Sequence, residues 1–385
     1  MTRFPVAALL TAWALLLTAC GGGSSNPSPP PPPPPVSSPA FVYVSNTSAN
    51  ALTGVNVAGG KPANLATALP PPGGNGPVGL VATGKWLYIG NSGSGTVSGF
   101  SFNSNTGALQ SLPGSPYMAG AGVSQLALCP GNGGATVPRF LYAVTSSAVL
   151  GYAIAGTGQL TPLSGSPFSA GTQPAAVLTD PSCNFVFVAN RGSNNISVFS
   201  VNNSSGFLTA AAGSPFAAGT APAALAMGDG FLFAANSGSN NVSVYTVSTT
   251  PGAGGGLLTQ VANSPFSAGA VPSALVYFSP TLYVANSASN DVSAFTVAAT
   301  TGAFTPVTGS PFAVGTKPMA MIKLSPPASN VAQQMFLYVA NAGSNNLSAF
   351  TIGSGGMLTA VQGFPFPAGT DPEGLVFACG NCGFP

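Results

Sequence analysis

Short apolar runs, most of which end in Asn, recur along the chain from Phe41 onward. In the clearest copies, such as residues 185–190 and 231–236, the run is followed by a polar turn and by a segment in which apolar and polar residues alternate. A run that is apolar on both faces indicates a buried strand, and alternation indicates a half-buried one. The copies are spaced about 45–55 residues apart, which is the length of a four-stranded propeller blade. They begin at Phe41, Trp86, Phe140, Phe185, Phe231, Thr281 and Phe336.

Each repeat has room for four strands. In the fourth repeat we predict strand A at 174–179, strand B at 185–189, strand C at 196–201 and strand D at 207–211. The sequence therefore predicts an all-β, seven-bladed β-propeller with four antiparallel strands per blade over residues 40–385.

The two ends of the repeat region complement each other. The first repeat begins with strand B at Phe41, whereas residues 372–378 form a strand A with no strands after it. Pairing this C-terminal strand with the N-terminal blade closes the ring and removes exposed sheet edges. We predict this closure.

The N-terminus has the features of a bacterial lipoprotein signal. Arg3 precedes an apolar stretch that is short for a membrane span, and Leu17-Thr18-Ala19-Cys20 resembles a lipobox. The resemblance implies a signal peptide over 1–19, cleaved before Cys20, and a lipid on the Cys20 thiol. An ordinary signal peptide that happens to contain Cys is the alternative. Gly21 is not the Asp associated with inner-membrane retention, which favours the outer membrane of the cell envelope.

Residues 20–39 are predicted to be a tether between the lipid anchor and the propeller. They are rich in Gly, Ser and Pro, and residues 29–35 are consecutive prolines. Such a run forms an extended polyproline II rod of about 3.1 Å per residue. The expected partner at this end is the membrane, reached through the anchor.

The composition narrows the possible chemistry. The chain has seven Lys or Arg, five Asp or Glu and no His, so 3% of its residues are charged, against about 25% in ordinary globular proteins. Without His, catalysis by Ser-His-Asp or Cys-His groups is excluded. The small net charge gives no basis for binding nucleic acid. We expect a monomeric domain.

One group of charged residues is the candidate site. The B–C and D–A connections of a propeller share one mouth of the ring, which contains Arg191, Asp291, Lys317, Asp371 and Glu373. Of these, Arg191, Lys317, Asp371 and Glu373 are the candidate site residues. Lys317 opens strand A of blade 7, whereas Asp371 and Glu373 open strand A of the neighbouring blade 1. A pair of carboxylates beside a lysine can activate water if one pKa is shifted. The alternative is a solvated ion pair at the ring closure. No cofactor is expected; a divalent metal held by Asp371, Glu373 and nearby carbonyls is the alternative.

Asn and Cys residues have structural interpretations. The Asn that ends strand B in six repeats is predicted to cap its turn by bonding its own backbone, rather than to form a row of ligands. Cys129 and Cys183 follow strand A of adjacent blades and are predicted to form a disulfide, with Cys379 and Cys382 closing on each other in the C-terminal tail.

The repeat motifs carry a family resemblance. The segments Tyr-Val-Ala-Asn at 283–286 and 338–341, and Asn-Arg-Gly-Ser at 190–193, are similar to motifs of the seven-bladed lactonase-like propellers and of the related surface-layer propellers with Tyr-Val-x-Asn repeats. The resemblance covers residues 41–378. It implies the propeller fold and lactone hydrolysis, in some members of 6-phosphogluconolactone, by charged and His side chains around the central channel.

Two functions follow. The low charge and the absence of His favour a cell-envelope lipoprotein that presents a rigid propeller for binding a protein or glycan, or for envelope structure. The alternative is a lactone hydrolase of the propeller type.

Overall fold

Seven antiparallel sheets, arranged as blades around a central channel, make up the part of the chain that the computed structural model describes. This part comprises residues 40–57, 62–65, 69, 71, 73–129, 139–248, 255–324 and 334–379. The predicted signal peptide, lipidated Cys20 and tether lie outside the described residues, as does Cys382. The seven-bladed architecture is as predicted.

The strands of each blade run A, B, C, D from the channel outward. From blade 1 to blade 7, strand A comprises Pro372–Ala378, Pro77–Ala82, Gln125–Cys129, Pro174–Thr179, Pro222–Gly228, Pro272–Phe278 and Pro318–Leu324. Strand B comprises Phe41–Asn46, Trp86–Asn91, Phe140–Val144, Phe185–Asn190, Phe231–Asn236, Thr281–Asn286 and Met335–Asn341. Strand C comprises Ala51–Asn56, Thr96–Phe102, Ala148–Ile154, Asn195–Val201, Asn241–Val247, Asp291–Val297 and Asn346–Ile352. Strand D comprises Ala63–Asn64, Leu109–Ser111, Leu160–Pro162, Leu208–Ala210, Leu258–Gln260, Phe304–Pro306 and Leu358–Ala360.

A short fifth strand, absent from the sequence prediction, follows strand D in blades 2 to 7. It contains the aromatic residue of the recurring Ser-Pro-Phe segment and pairs with the start of strand C. The Ser of this segment lies between strand D and the fifth strand. Its hydroxyl oxygen accepts a hydrogen bond from a strand C amide, as Ser214 does from Val198 at 2.8 Å. The motif thus satisfies a backbone donor that strand D does not reach. These strands are Tyr117–Met118, Phe168–Ser169, Phe216–Ala217, Phe266–Ser267, Phe312–Ala313 and Phe366–Pro367.

The ring closes as predicted. Strand A of blade 1, Pro372–Ala378, pairs antiparallel with strand B, Phe41–Asn46, and Phe41 lies opposite Ala378. Apolar clusters pack blade 1 against both neighbours. In one cluster Val42 of blade 1 is grouped with Leu347 of blade 7, and in the other Tyr43 of blade 1 is grouped with Ile89 of blade 2. Each of the other blade interfaces has a buried apolar cluster of the same kind.

Neighbouring blades are also joined by buried hydrogen bonds. The hydroxyl of a strand B tyrosine donates to a glycine carbonyl in the next blade in four cases, at 2.6 to 2.8 Å. A bond made this way satisfies a polar group that burial would otherwise leave unpaired. The four tyrosines are Tyr43, Tyr88, Tyr142 and Tyr283.

Helical structure in the described ranges is limited to one 3-10 turn, Ser354–Gly356. No helix within those ranges has the length and apolar character needed to cross a membrane.

Candidate functional site

Residues near the start of strand A line one half of the central channel. We call its end, where the B–C and D–A connections lie, the upper mouth, and the opposite end, with the A–B and C–D connections, the lower mouth. A cavity of about 500 Å³ opens at the upper mouth. Each blade contributes the second residue of strand A, or its equivalent, to the cavity wall. From blade 1 to blade 7 these residues are Glu373, Val78, Ser124, Ala175, Ala223, Ser273 and Met319.

Glu373 is therefore a single carboxylate in an otherwise uncharged ring of seven side chains. Of the described residues that line this cavity, only Glu373 and Arg191 are charged. Arg191 stands in the B–C turn of blade 4, where its amide donates to the carbonyl oxygen of Gln173 at 2.9 Å. The two charges belong to different sides of the ring, blade 1 and blade 4.

The predicted convergence of Lys317, Asp371 and Glu373 is present. The Lys317 amine lies 3.6 Å from Oδ1 of Asp371 and 4.0 Å from Oε1 of Glu373. The Lys317 side chain is 51% exposed, whereas those of Asp371 and Glu373 are 26% and 24% exposed. The cluster is thus an ion pair at the ring closure that extends from solvent into the channel wall.

Asn residues of the preceding blades hold the backbone of this cluster. Lys317 and Asp371 each have a positive φ, 54° and 58°. The amide of Lys317 donates to Oδ1 of Asn290 at 2.8 Å, and that of Asp371 to Oδ1 of Asn345 at 2.9 Å. Each residue is therefore fixed by a turn of the blade before it.

Burial and a like charge alter the proton affinity of Glu373. Removal from water, and then the neighbouring Asp371 carboxylate, raise its pKa above the usual glutamic acid value. Thr47, whose hydroxyl lies 3.2 Å from Oε2 of Glu373, and Lys317 act in the opposite direction. The Glu373 carboxylate is thus more basic than an exposed one, although Thr47 and Lys317 offset part of the rise in its pKa.

The Asn residues that end strand B do not act as predicted. Instead of bonding its own turn, the Asn190 amide donates to Asn195 at 2.8 Å and to Ser197 at 2.9 Å, both on strand C. The prediction was wrong in its partner because Asn190 lies directly opposite Asn195 in the B–C pair, and Ser197 is two residues further along strand C. The role is structural, and the same pattern occurs at Asn91, Asn236, Asn286 and Asn341.

The predicted disulfide between adjacent blades is present. Cys129 and Cys183 are bonded, with a Cα separation of 5.3 Å. Cys129 is the last residue of strand A in blade 3 and Cys183 lies in the A–B connection of blade 4, so the bridge is at the lower mouth. Cys379 is also disulfide-bonded, and Cys382, its predicted partner, is outside the described residues. Within those residues no three His, Cys, Asp or Glu side chains are grouped as a metal site.

Sequence reasoning missed two charged residues of the channel, Asp180 and Lys323. Lys323 lies within strand A of blade 7 and lines a second cavity, at the lower mouth. A comparison of the seven A strands gives the signal, since Lys323 occupies a position that is uncharged in the other blades.

The chain is similar to known propellers in sequence and in fold. Residues 139–271 match the family described as lactonase, 7-bladed beta-propeller. No curated protein sequence matches the chain. A protein of Bacteroides fragilis NCTC 9343 described as a "putative 6-phosphogluconolactonase" has a TM-score of 0.72 at 20% identity, over 90% of this chain and 99% of that one.

A second solved structure gives the same result. The periplasmic gluconolactonase of Pseudomonas aeruginosa has a TM-score of 0.69 at 16% identity, over 89% of this chain and 100% of that one. At these identities the likeness concerns the fold. Residues 139–271 thus carry the sequence pattern of the lactonase seven-bladed propellers, within a ring that has their fold.

Proposed function

We propose that the protein hydrolyses lactones at the upper mouth of the channel, with Glu373 as the general base. The observation that carries the proposal is the position of Glu373, a half-buried carboxylate of raised pKa in the wall of a cavity of about 500 Å³. A cavity with a few convergent polar groups is typical of small-molecule sites. The match to the lactonase family over residues 139–271 supports the substrate class.

Glu373 would act on water. Its carboxylate accepts a proton as the water oxygen attacks the lactone carbonyl carbon, the ring C–O bond breaks, and the departing alkoxide takes up a proton. One lactone and one water thus give one hydroxycarboxylic acid. Lys317 favours the ionised form of Glu373. Arg191, across the cavity on blade 4, adds a positive charge to the same mouth.

The low overall charge favoured a non-catalytic function, and the comparisons favour the hydrolase instead. A low total charge does not exclude catalysis, because a site needs only a few charged side chains in one place. Five of the charged residues lie in the B–C and D–A connections or at the starts of strands beside them. These five residues are Arg191, Asp291, Lys317, Asp371 and Glu373.

Replacing Glu373 with Gln removes the base and keeps the shape. We expect kcat/KM for glucono-δ-lactone and γ-butyrolactone to fall at least about tenfold, since general bases contribute roughly 10²–10⁴. Proton release by the full chain, with and without added Mg²⁺, measures the rate. Asp291→Asn is the matched control, because blades 4, 5 and 7 have Asn at the same position of strand C. It should retain full activity.

Two results would count against the proposal. Undiminished turnover in Glu373→Gln would place the base elsewhere. Absence of lactone hydrolysis by the unaltered protein would restore the first function, a propeller that binds a protein or glycan without catalysis.

The proposed location is the cell envelope, through a lipid on Cys20. The lipobox supports it, and the Pseudomonas aeruginosa gluconolactonase, described as periplasmic, is a protein of similar fold placed outside the cytoplasm. An exported hydrolase would act on lactones before they enter the cell.

A further inference from the structure

The lower half of the channel contains a second cavity, also of about 500 Å³. Most of its wall is aliphatic and comes from the middle and end of the A strands. Leucines at the middle of these strands border both cavities and make the wall apolar where the two cavities adjoin. These leucines are Leu80, Leu126, Leu225, Leu275 and Leu375.

Lys323 introduces a positive charge into this apolar wall. The residue is the sixth of strand A in blade 7, and the same position in the other blades is uncharged. The side chain is half-buried, and its amine donates to the carbonyl oxygen of Tyr277 at 3.4 Å and lies 6.0 Å from the centre of the Phe278 ring. Neither neighbour carries a charge that neutralises the amine.

The carboxylates at this mouth are bound to other groups. Among the described residues no Asp or Glu oxygen lies within 4.0 Å of the Lys323 amine, since the ion pairs found there involve Lys317. Asp180 lines the cavity, but its oxygens accept bonds from the amides of Phe185 at 2.6 Å and Ser182 at 3.2 Å. Asp229 accepts bonds from the hydroxyls of Tyr277 at 2.8 Å and Ser279 at 2.5 Å.

We propose that the lower cavity binds a small organic carboxylate with an apolar body, its carboxylate paired with Lys323 and its body against the aliphatic wall. One lysine matches the single charge of a carboxylate, whereas the described residues of this wall include no second Lys or Arg to balance a phosphate dianion. Burial lowers the pKa of Lys323, which an incoming carboxylate would offset. Glu373 lines only the upper cavity and Lys323 only the lower one, so the two sites can be tested with separate variants.

Calorimetric titration of the full chain with hexanoate, and with its uncharged counterpart hexanamide, tests the site. We expect hexanoate to bind with a dissociation constant of roughly 1 mM or below. Hexanamide should bind at least about tenfold more weakly, because its amide cannot form the ion pair. Glu373→Gln should bind hexanoate as the unaltered protein does, which keeps this test separate from that of the hydrolase.

Variants of the lysines complete the design. Lys323→Met should weaken hexanoate binding at least about tenfold, and Met227 occupies the same position in blade 5, so the residue is compatible with the strand. Lys323→Arg should retain binding. Lys85→Met is the matched control, since Lys85 is an exposed lysine in the A–B connection of blade 2, at the same mouth.

The proposal is overturned if hexanoate does not bind, or binds no better than hexanamide. It is also overturned if Lys323→Met binds hexanoate like the unaltered protein. If Lys323→Met does not fold, the comparison of hexanoate with hexanamide on the unaltered protein decides.

Discussion

A positive backbone φ recurs at the residue that precedes strand A. Val271 and Ala221 have φ values of 54° and 53°, and their amides donate at 2.8 Å to the Oδ1 atoms of Asn240 and Asn194 in the preceding blade. Lys317 and Asp371 share this arrangement. The conformation is therefore required by the connection between blades, whatever residue the sequence places there.

Val271 is the least suitable residue for this conformation. A left-handed φ costs an L-residue about 1–2 kcal/mol, and β-branched residues adopt it least readily, whereas Asn tolerates it. The side chain is 40% exposed, so little apolar burial is lost on replacement. We expect Val271→Asn to raise the free energy of unfolding by about 1 kcal/mol, measured by thermal or denaturant unfolding. An unchanged or lower stability would show that the turn does not strain Val271.

The charges around Glu373 predict a pH dependence with opposite signs for two variants. Lys317→Gln removes a positive charge that lowers the pKa of Glu373, so the pKa of Glu373 rises. Because activity needs the ionised base, the variant should lose activity at a higher pH than the parent as the solution is acidified. Asp371→Asn removes a charge that raises the pKa, so the loss moves to lower pH. Gln is suited to position 317, because Gln173 stands there in blade 4 with φ 49°.

The dependence of kcat/KM on pH for lactone hydrolysis measures both shifts. Asp291→Asn, on the same mouth, is the control and should leave the acid limb in place. Shifts in the same direction for Lys317→Gln and Asp371→Asn would contradict the assignment of Glu373 as the base.

At the scale of elements, strand A of blade 1 has a role that no other strand A has, because it joins the two ends of the repeat region. Leu375 and Ala378 are 7% and 3% exposed and pack into the clusters on either side of blade 1. Deleting residues 372–385 would uncover these clusters and the edge of strand B at Phe41–Asn46.

We expect the shortened protein to be unfolded or aggregated at temperatures at which the parent is folded. Circular dichroism and size-exclusion chromatography would measure this. Deleting residues 383–385 leaves the closing strand in place and serves as the control. A protein without residues 372–385 that melts like the parent would show that the ring does not depend on this strand.

The regular strands were predictable from the sequence. In blade 4 the predicted strand A agrees with Pro174–Thr179, and strands B and C differ by one residue at one end from Phe185–Asn190 and Asn195–Val201. The apolar periodicity determines these strands because each is packed between neighbouring blades. The fifth strand, such as Phe216–Ala217, has two residues and no periodicity, so the pattern could not reveal it.

The candidate site was predictable in part. Lys317, Asp371 and Glu373 were expected to meet because the ring closure brings their strands together, and they do. Lys323 was not identified, because it stands in an apolar strand and its importance depends on which strand A positions line the channel. The Asn190 contact was missed because it requires the register between strands B and C.

At the scale of the whole molecule, the propeller is the basis for the proposed chemistry, and the N-terminal segment is the basis for the proposed location. The described residues form a ring with one candidate site in each half of its channel, and neither site explains where the protein acts. The proposal of a cell-envelope location rests on the first residues of the chain, where an apolar stretch ends in Leu-Thr-Ala-Cys. The proposed location and the proposed catalysis rest on separate parts of the sequence, so each can be tested without the other.

Replacing Cys20 with Ser tests the location. If Cys20 carries lipid, the serine variant should accumulate as unprocessed precursor, and no mature form should partition into the detergent phase of a Triton X-114 extraction. The physical reason is that a Ser hydroxyl cannot form the thioether to the lipid. The described residues also contain no helix long and apolar enough to cross a membrane in place of the lipid anchor. Cys129→Ser, which removes a thiol of the disulfide at the lower mouth, is the control and should be processed and anchored normally. A Cys20→Ser protein that is still cleaved and remains in the membrane fraction would show that the anchor is not a lipid on this residue.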